Sequence, residues 1–185
     1  MWRTVESTPE SPAPRAGHVL VKTADNVLLL HGGLGDGVLF DTVHEFRGET
    51  WRLLSTTGTK PAARTEHVAA VLGGELFVFG GWNAQLSSGG GGEIGDEIDV
   101  GELAEAEFFG GTFSLNLATQ RWQRLTGASD PSPRRGACFA SSSQQAALYI
   151  MGGHTSSTHV PDAVESTLIR FDLAQRRWAF VAPNP

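Results

Sequence analysis

Cysteine is almost absent from this sequence, because its 185 residues include only one, Cys138. A single cysteine cannot form an intrachain disulfide, and it cannot build the thiolate-rich sites that hold structural zinc. A reducing compartment is compatible with this composition. The cytoplasm is therefore the default expectation, with an organelle left open.

Long apolar runs and clustered positive charge are also missing. No stretch approaches the roughly 18 unbroken apolar residues that span a bilayer, and the N-terminal MWRTVESTPESP has no apolar core like that of a signal peptide. We therefore expect no membrane insertion. The formal net charge is −6, and residues 93–107 carry seven acidic residues and no basic one. With no basic stripe to contact a phosphate backbone, nucleic acid is not an expected partner.

Glycine is abundant, and part of it belongs to a pattern that recurs three times. Each copy contains a proline-arginine segment, a glycine pair and a tryptophan, in that order. The segments are PAPRAGH (12–18), PAARTEH (61–67) and PSPRRGA (131–137), and their arginines are Arg15, Arg64 and Arg134. The glycine pairs are Gly32 and Gly33, Gly80 and Gly81, and Gly152 and Gly153, and the tryptophans are Trp51, Trp122 and Trp178. Recurrence in a fixed order indicates a repeat architecture.

One loop accounts for the unequal length of the copies. The arginine and the second glycine are 18, 17 and 19 residues apart in the three copies, whereas the second glycine and the tryptophan are 18, 41 and 25 residues apart. The first half of each copy is therefore constant. An acidic, Gly-rich insert at 83–108 makes the second copy long.

Each copy contains four short β-rich runs. Two of them, separated by turn residues, precede the glycine pair and predict a hairpin whose second strand is apolar enough to be buried on both faces. After the variable loop, a run such as TFSLNL predicts a third strand, and a run led by the tryptophan predicts a fourth. Four antiparallel strands per copy, without amphipathic helices, predict repeated small sheets.

This combination of Pro-Arg-x-Gly-His segment, apolar hairpin, glycine pair and tryptophan-led fourth strand resembles the Kelch repeat. It is most similar to the variety found in intracellular adaptor propellers, and it extends from Trp2 to about residue 182. The third copy departs from the pattern at Ala137, where histidine is expected. The resemblance implies an all-β fold, a partial β-propeller of about three four-stranded antiparallel blades plus an N-terminal outer strand.

We expect a single domain over 1–185. The predicted units are a lone outer strand at 2–5 that includes Trp2, a first blade at 12–54, a second blade at 61–125 that contains the insert at 83–108, and a third blade at 131–182. Propellers usually close with four to eight blades, so three blades leave two faces uncovered. We expect the ring to be completed by sequence absent here, by a second copy of the chain or by another subunit.

The three repeated arginines allow two interpretations. They could form a ring that clamps an acidic peptide, or each could pair with a carboxylate or carbonyl of a neighbouring blade and be structural. The structural interpretation is favoured, because a repeat by itself requires recurrence of position. The glycine pairs and the tryptophans Trp2, Trp51, Trp122 and Trp178 are expected to be structural.

Candidate partner-binding residues lie in and beside the variable loops. Trp82 fits no repeat position and is either a partner anchor or a cap over the base of its loop. Asp96, Asp99 and Glu102 of the insert and His154 of the third variable loop complete the candidates, and the insert could equally be a solvating segment. A calcium loop starting at Asp96 is disfavoured, because Ile98 and Val100 stand where side-chain oxygens are needed.

Catalysis is not expected from these residues. The copper-radical oxidases that share this fold need two tyrosines, and this chain has only Tyr149, which we expect to be buried in its strand. We find no serine nucleophile elbow, and we expect no catalytic residue, metal or cofactor. The prediction is a non-enzymatic protein–protein interaction or scaffold module that docks a protein partner through the face formed by the inter-blade segments and the loops between strands two and three. The alternatives are an architectural subunit of a large complex and, less favoured, an enzyme completed by missing blades.

Overall fold

The computed structural model of the protein describes residues 7–83, 107–125, 130–155 and 163–181. Within these four ranges every regular element is a β-strand. The described part of the chain contains no helix long and apolar enough to cross a membrane. The all-β prediction is therefore confirmed.

The first blade is a four-stranded antiparallel sheet with a small ribbon inserted in its variable loop. Its strands are β1 (Val19–Lys22), β2 (Leu28–His31), β3 (Leu34–Gly35), β4 (Val38–Leu39), β5 (Val43–Arg47) and β6 (Thr50–Leu53). The sheet order is β1-β2-β5-β6, and β3 pairs with β4 outside it. The insertion therefore lies between the second and third strands of the sheet, where the sequence predicts it.

The second blade has the same four strands and one more. They are β7 (Thr57–Gly58), β8 (Val68–Leu72), β9 (Glu75–Phe79), β10 (Thr112–Asn116) and β11 (Arg121–Leu125), in the order β7-β11-β10-β9-β8. The short β7 comes from the segment that leads into the blade and pairs in parallel with β11. This fifth strand was not predicted, because a strand of two residues is too short to show an alternation of apolar and polar residues in the sequence.

The third blade returns to four strands and a ribbon. They are β12 (Cys138–Ser142), β13 (Ala147–Met151), β14 (His154–Thr155), β15 (Ala163–Val164), β16 (Leu168–Asp172) and β17 (Arg177–Phe180), with a sheet order of β12-β13-β16-β17. The three sheets do not close into a ring, and the partial-propeller prediction is confirmed. The predicted outer strand at 2–5, with Trp2, lies outside the described residues.

Two apolar clusters join the blades, one at each junction. The first blade contributes Val27, Leu29, Val43 and Leu54 to one cluster, and the second blade contributes Leu76, Val78, Phe113, Leu115 and Trp122. At the other junction the opposite face of the second blade meets the third blade through Ala70, Leu72, Phe77, Phe79, Leu148, Ile150, Ile169, Phe171 and Trp178. Burial between sheets, rather than within one, therefore supplies the core.

The tryptophans occupy matching positions in these clusters. Trp122 and Trp178 are 1% and 2% exposed, and each packs on the preceding blade. Trp51 occupies the same strand position in the first blade but is only partly buried, with its ring 5.1 Å from that of Phe46. The tryptophan side of each blade therefore faces the blade before it, and that side of the first blade has no described neighbour.

Tyr149 differs from expectation. It is partly exposed, and its hydroxyl donates a hydrogen bond to Gln145 Oε1. The reason is strand alternation: neighbouring Leu148 and Ile150 point into the cluster against the second blade, so Tyr149 points to the uncovered side of the third blade.

A buried histidine pair lies at the junction of the first and second blades. The Nδ1 of His31 lies 3.0 Å from the Nε2 of His67, and the two side chains are 0% and 4% exposed. Burial, helped by the nearby charge of Arg64, lowers the pKa of His31 to about 3. Burial, with His31 as the next cause, lowers the pKa of His67 well below its ordinary value. Both rings are therefore neutral in the folded protein.

The two buried tryptophans predict different costs for the same substitution. The Nε1 of Trp178 donates a 2.8 Å hydrogen bond to the buried hydroxyl of Thr112, whereas the Nε1 of Trp122 has no hydrogen-bond partner among the described residues. We expect Trp178→Phe to lower the free energy of unfolding by about 1–3 kcal/mol more than Trp122→Phe, because it leaves the Thr112 hydroxyl without its donor. Urea unfolding of both variants measures this difference, and equal losses would contradict it.

The histidine pair predicts an acid-sensitive blade junction. Both pKa values are lower in the folded than in the unfolded state, so the unfolded chain binds more protons below pH 6.5. The free energy of unfolding is unaffected by this pair above pH 6.5 and should fall by up to about 2.8 kcal/mol per pH unit below it. His31→Met, which introduces the residue found at this position in the third blade, should remove about half of that slope. Urea unfolding at pH 7.5, 6.5, 6.0 and 5.5 tests this, and identical slopes in both proteins would refute the assignment.

Candidate partner-binding face

The repeated arginines bind backbone carbonyls of their own blades. The Nη1 of Arg64 donates to the carbonyl oxygen of Gly80 at 2.8 Å, and its Nε donates to that of Ala62 at 2.9 Å. Arg15 donates in the same way to Gly32, and Arg134 to Gly152, at 3.2 and 3.1 Å. The structural interpretation expected partners in a neighbouring blade, and the structure differs: the guanidinium ties the segment entering a blade to the first glycine of that blade.

Burial makes these arginines unavailable as an open clamp. Arg64 is 1% exposed and Arg134 is 2% exposed. Burial lowers the pKa of Arg64 to about 10, and its guanidinium carbon lies 4.3 Å from the centre of the Phe109 ring. Arg15, which is less buried, stacks similarly on Phe40. The guanidinium groups therefore remain charged but face protein carbonyls and aromatic rings.

The second glycine of each pair makes the link to the next blade. The amide of Gly33 donates to the carbonyl oxygen of Arg64 at 2.9 Å, and that of Gly81 to the carbonyl oxygen of Arg134 at 2.8 Å. A Cβ on Gly81 would lie 2.7 Å from the Thr65 carbonyl oxygen. Glycine is therefore required here by the close approach of two backbones, as well as by a φ of 87°.

A chain of backbone hydrogen bonds runs between the entering segments. The amide of Glu66 donates to the carbonyl oxygen of Gly17 at 2.9 Å, and the amide of Gly136 donates to the carbonyl oxygen of Glu66 at 3.0 Å. All three residues have a positive φ. The three segments therefore form one continuous rigid surface, with Glu66 adopting a conformation that glycine adopts in the other two.

Trp82 lies where the variable loop of the second blade begins, and it is only 6% exposed. Its ring is stacked on Phe108 at a centroid distance of 6.0 Å, and the guanidinium carbon of Arg135 lies 4.8 Å from its ring centre. Arg135 is held by an ion pair of 2.9 Å with Glu66. In this arrangement Trp82 covers the base of its loop, and its role as an anchor stays a prediction that would require a rearrangement.

Of the other predicted binding residues, one lies on this face and three lie outside the described residues. His154 lies on this face, where its backbone exchanges two hydrogen bonds with that of Arg135, at 2.9 and 3.0 Å. Asp96, Asp99 and Glu102 lie outside the described residues, and so does most of the calcium-loop candidate. Among the residues that the structure does describe, no group of three or more His, Cys, Asp or Glu side chains is placed to hold a metal ion.

Two clefts open beside the entering segments, at equivalent positions of the second and third blades. The first cleft has a volume of about 460 Å³ and is lined by residues that include Arg64, Phe109, Phe113, Arg124 and Asp130. The second cleft has a volume of about 350 Å³ and is lined by residues that include Arg134, Glu165, Ile169, Phe180 and Asp130. Since Asp130 and Pro131 line both, the clefts are neighbours.

The clefts share a frame but differ in chemistry at two positions. The amides of Phe109 and Glu165 each donate to the second glycine of their blade, so these residues are equivalent. Arg124 and Phe180 each lie two residues after a tryptophan. The second cleft therefore has a carboxylate where the first has an aromatic ring, and a phenyl group where the first has a guanidinium.

The first cleft offers an exposed positive charge, and the second offers an exposed aromatic ring. Arg124 is exposed, its guanidinium carbon lies 6.0 Å from the Phe113 ring centre, and its guanidinium forms no hydrogen bond with another described residue. Burial raises the pKa of Asp130, and the charge of Arg124 opposes that rise. In the second cleft Phe180 is 75% exposed.

None of Arg124, Asp130, Glu165 and Phe180 was among the predicted binding residues. Strand alternation could have found two of them, because Arg124 and Phe180 share a strand face with the tryptophans Trp122 and Trp178. Asp130 and Glu165 lie in loops, where the sequence carries no such signal.

Comparison with known proteins agrees with this three-blade architecture. A family model described as the KLHDC2/KLHL20/DRC7 Kelch-repeats domain matches residues 1–184. The chain is 26% identical over 184 residues to Kelch domain-containing protein 3 of Homo sapiens, covering 96% of this chain and 43% of that protein. It is 29% identical over 129 residues to the flagellar outer-arm dynein alpha chain of Chlamydomonas reinhardtii, covering 67% of this chain and 2% of that protein.

A third relative is Kelch repeat-containing protein 2 of Saccharomyces cerevisiae, which is 24% identical over 197 residues, covering 99% of this chain and 20% of that protein. The chain thus spans less than half the length of each of these three relatives. The family model extends over nearly the whole chain, and the three sheets have the strand order that the repeat implies. The chain therefore belongs to the Kelch-repeat family.

Proposed function

We propose that the chain is a non-enzymatic scaffold that docks a protein partner through the face formed by the entering segments and the loops between strands two and three. The observation that carries this proposal is the contrast between repeated and non-repeated residues. The repeated arginines and glycines already form hydrogen bonds within the protein. The equivalent positions that differ between blades, Arg124 and Phe180 among them, line open clefts.

The chemistry of the clefts suits an extended peptide of mixed charge. Arg124, beside the rings of Phe109 and Phe113, offers a guanidinium to an acidic side chain. Glu165 and Asp130, beside the exposed ring of Phe180, offer carboxylates and an aromatic surface to a basic side chain. A peptide that crosses both clefts would present an acidic residue to the first and a basic residue to the second.

An architectural role is the second candidate. It is favoured by the similarity to a dynein chain of the flagellar outer arm, in which the matched segment covers only 2% of the protein. A blade set embedded in so long a chain can contribute shape without binding a separate peptide.

The peptide-docking proposal predicts a charge preference at the first cleft. Peptides selected by display against the purified chain should be enriched in an acidic residue, and Arg124→Glu should weaken their binding at least tenfold, because attraction becomes repulsion. Arg121→Glu is the matched control, since it makes the same charge change on the exposed opposite face of the same strand. Fluorescence anisotropy with the selected peptides provides the affinities. Equal binding by the two variants, or no enrichment at all, would refute docking at this cleft.

Removal of the insert separates the docking and architectural roles. The amide of Asn83 donates to the carbonyl oxygen of Glu107 at 3.1 Å, so Gly-Ser-Gly can replace residues 84–106 without opening the loop base. We expect the circular dichroism spectrum and the urea midpoint to be retained, and the affinity for selected peptides to change at least threefold, because the insert joins the first cleft directly at Glu107. Retained fold with unchanged peptide affinity and partner assembly would favour the architectural role.

A further inference from the structure

Ser132 places a hydroxyl at a position that recurs in all three entering segments. Ala13, Ala62 and Ser132 each lie two residues before the repeated arginine of their copy. The carbonyl oxygen of each accepts a hydrogen bond from the Nε of that arginine, at 2.9, 2.9 and 3.1 Å. The three segments therefore have the same local arrangement, and the third copy adds a hydroxyl where the other two have only a methyl group.

The Ser132 hydroxyl contacts a buried positive charge. Arg134 is 2% exposed, and its Nη2 donates a 2.7 Å hydrogen bond to the Oγ of Ser132. Its Nη1 donates to the carbonyl oxygen of Gly152 at 3.1 Å, which fixes the guanidinium in place. Each terminal nitrogen of a guanidinium carries two N–H groups, so Nη2 has a second one to donate. An anionic group on Ser132 would therefore meet a cation that is already positioned to bind it.

The segment that contains Ser132 is open to another protein. Ser132 and Pro133 are exposed, and no backbone–backbone hydrogen bond joins residues 130–133 to another described residue. Because Ser132 precedes a proline, an extended backbone is favoured at this residue. An enzyme that modifies the hydroxyl must bring its catalytic base within hydrogen-bond distance of it. An exposed and extended segment without backbone pairing permits this approach.

We propose that Ser132 is a phosphorylation site for a proline-directed serine/threonine kinase, and that Arg134 binds the phosphoryl group within the second cleft. Kinases of this class select a serine that precedes proline, and Pro133 has no amide N–H that the kinase would have to pair. The γ-phosphoryl group of ATP is transferred to the Ser132 Oγ. The Oγ–P bond forms, the bond between the γ-phosphorus and the bridging oxygen breaks, ADP leaves, and the hydroxyl proton passes to a carboxylate of the kinase.

Phosphorylation changes the charge of the second cleft, which Ser132 lines together with Asp130, Arg134 and Glu165. Burial lowers the pKa of Arg134, and the nearby charge of Glu165 opposes this lowering. A phosphoserine adds up to about two negative charges at pH 7, so the modified cleft is strongly anionic and attracts a basic side chain more strongly. This consequence extends the proposed docking role and rests on it, whereas the phosphorylation itself does not.

Intact-mass spectrometry tests the site. Thr8 and Ser11 also precede prolines, so the double variant Thr8→Ala/Ser11→Ala leaves Ser132 as the remaining target. The kinase is a mitogen-activated protein kinase, supplied with Mg²⁺ and ATP, that phosphorylates a synthetic peptide of residues 126–137. We expect the folded double variant to gain the mass of one phosphoryl group, located on Ser132 by fragmentation, and a further Ser132→Ala change to abolish this gain. A folded chain that stays unmodified while the peptide is phosphorylated would overturn the proposal.

Ser11 provides a matched control for the position of the added charge. Its Oγ accepts a hydrogen bond from the backbone amide of Thr8, and Ser11 does not line the second cleft. Phosphoserine is installed at position 132 or at position 11 by genetic-code expansion, which gives two proteins of equal net charge. In fluorescence anisotropy a labelled oligolysine peptide should bind the first protein about fivefold more tightly, because the added charge joins the carboxylates of the cleft. Equal affinities would contradict the placement of the phosphoryl group in the cleft.

The Arg124→Glu variant separates this proposal from the docking proposal. The substitution lies in the first cleft, so Ser132 should be phosphorylated in it as fully as in the unsubstituted chain. Retained phosphorylation without any peptide docking would contradict the docking role alone. Retained docking without phosphorylation of Ser132 would contradict the modification site alone.

Discussion

The structure depends on a backbone hydrogen bond between consecutive blades, from the second glycine of one blade to the arginine carbonyl of the next. The two backbones approach so closely that a Cβ at Gly80, the first glycine of its pair, would lie 2.5 Å from the Arg134 carbonyl oxygen of the next blade. The same arginine holds the first glycine of its own blade with its guanidinium. One residue thus joins two blades through two different groups, and the blades are held at a defined separation in which side chains can pack between them.

That separation divides the residues into two groups with different roles. Apolar side chains that alternate along the strands meet between the sheets in two clusters and supply the core. The tryptophans are part of this packing, and the buried histidine pair replaces apolar contact at one junction. The rim beside the entering segments is less uniform, because Arg124, Glu165 and Phe180 differ from the residues at the equivalent positions of the other cleft, and this is where we propose that a partner docks.

Predictions from the sequence succeeded where a residue's role follows from local pattern. Alternating apolar runs, the glycine pair and the tryptophan-led strand were sufficient to predict four-stranded antiparallel sheets. The sequence was less informative where the outcome depends on a distant neighbour. Examples are the burial of Trp82 under Phe108 and the two-residue strand β7, which forms because β11 offers a free edge. The hydrogen-bond partner of Arg64 is another example, since the Gly80 carbonyl accepts its hydrogen bond because the fold brings the two groups close together.

The sequence by itself determined the repeat, the strand content and the family, because the spacing and the order of the repeated residues can be observed along the chain without a structure. Only the tertiary structure decided which charged side chains are buried in hydrogen bonds within the protein and which are exposed to solvent. Arg64 and Arg124 are the same residue type, yet packing buries the first against carbonyls and leaves the second open at a cleft. The physical reason is that desolvation and hydrogen bonding depend on what surrounds a group in three dimensions, and a repeat specifies position without specifying surroundings.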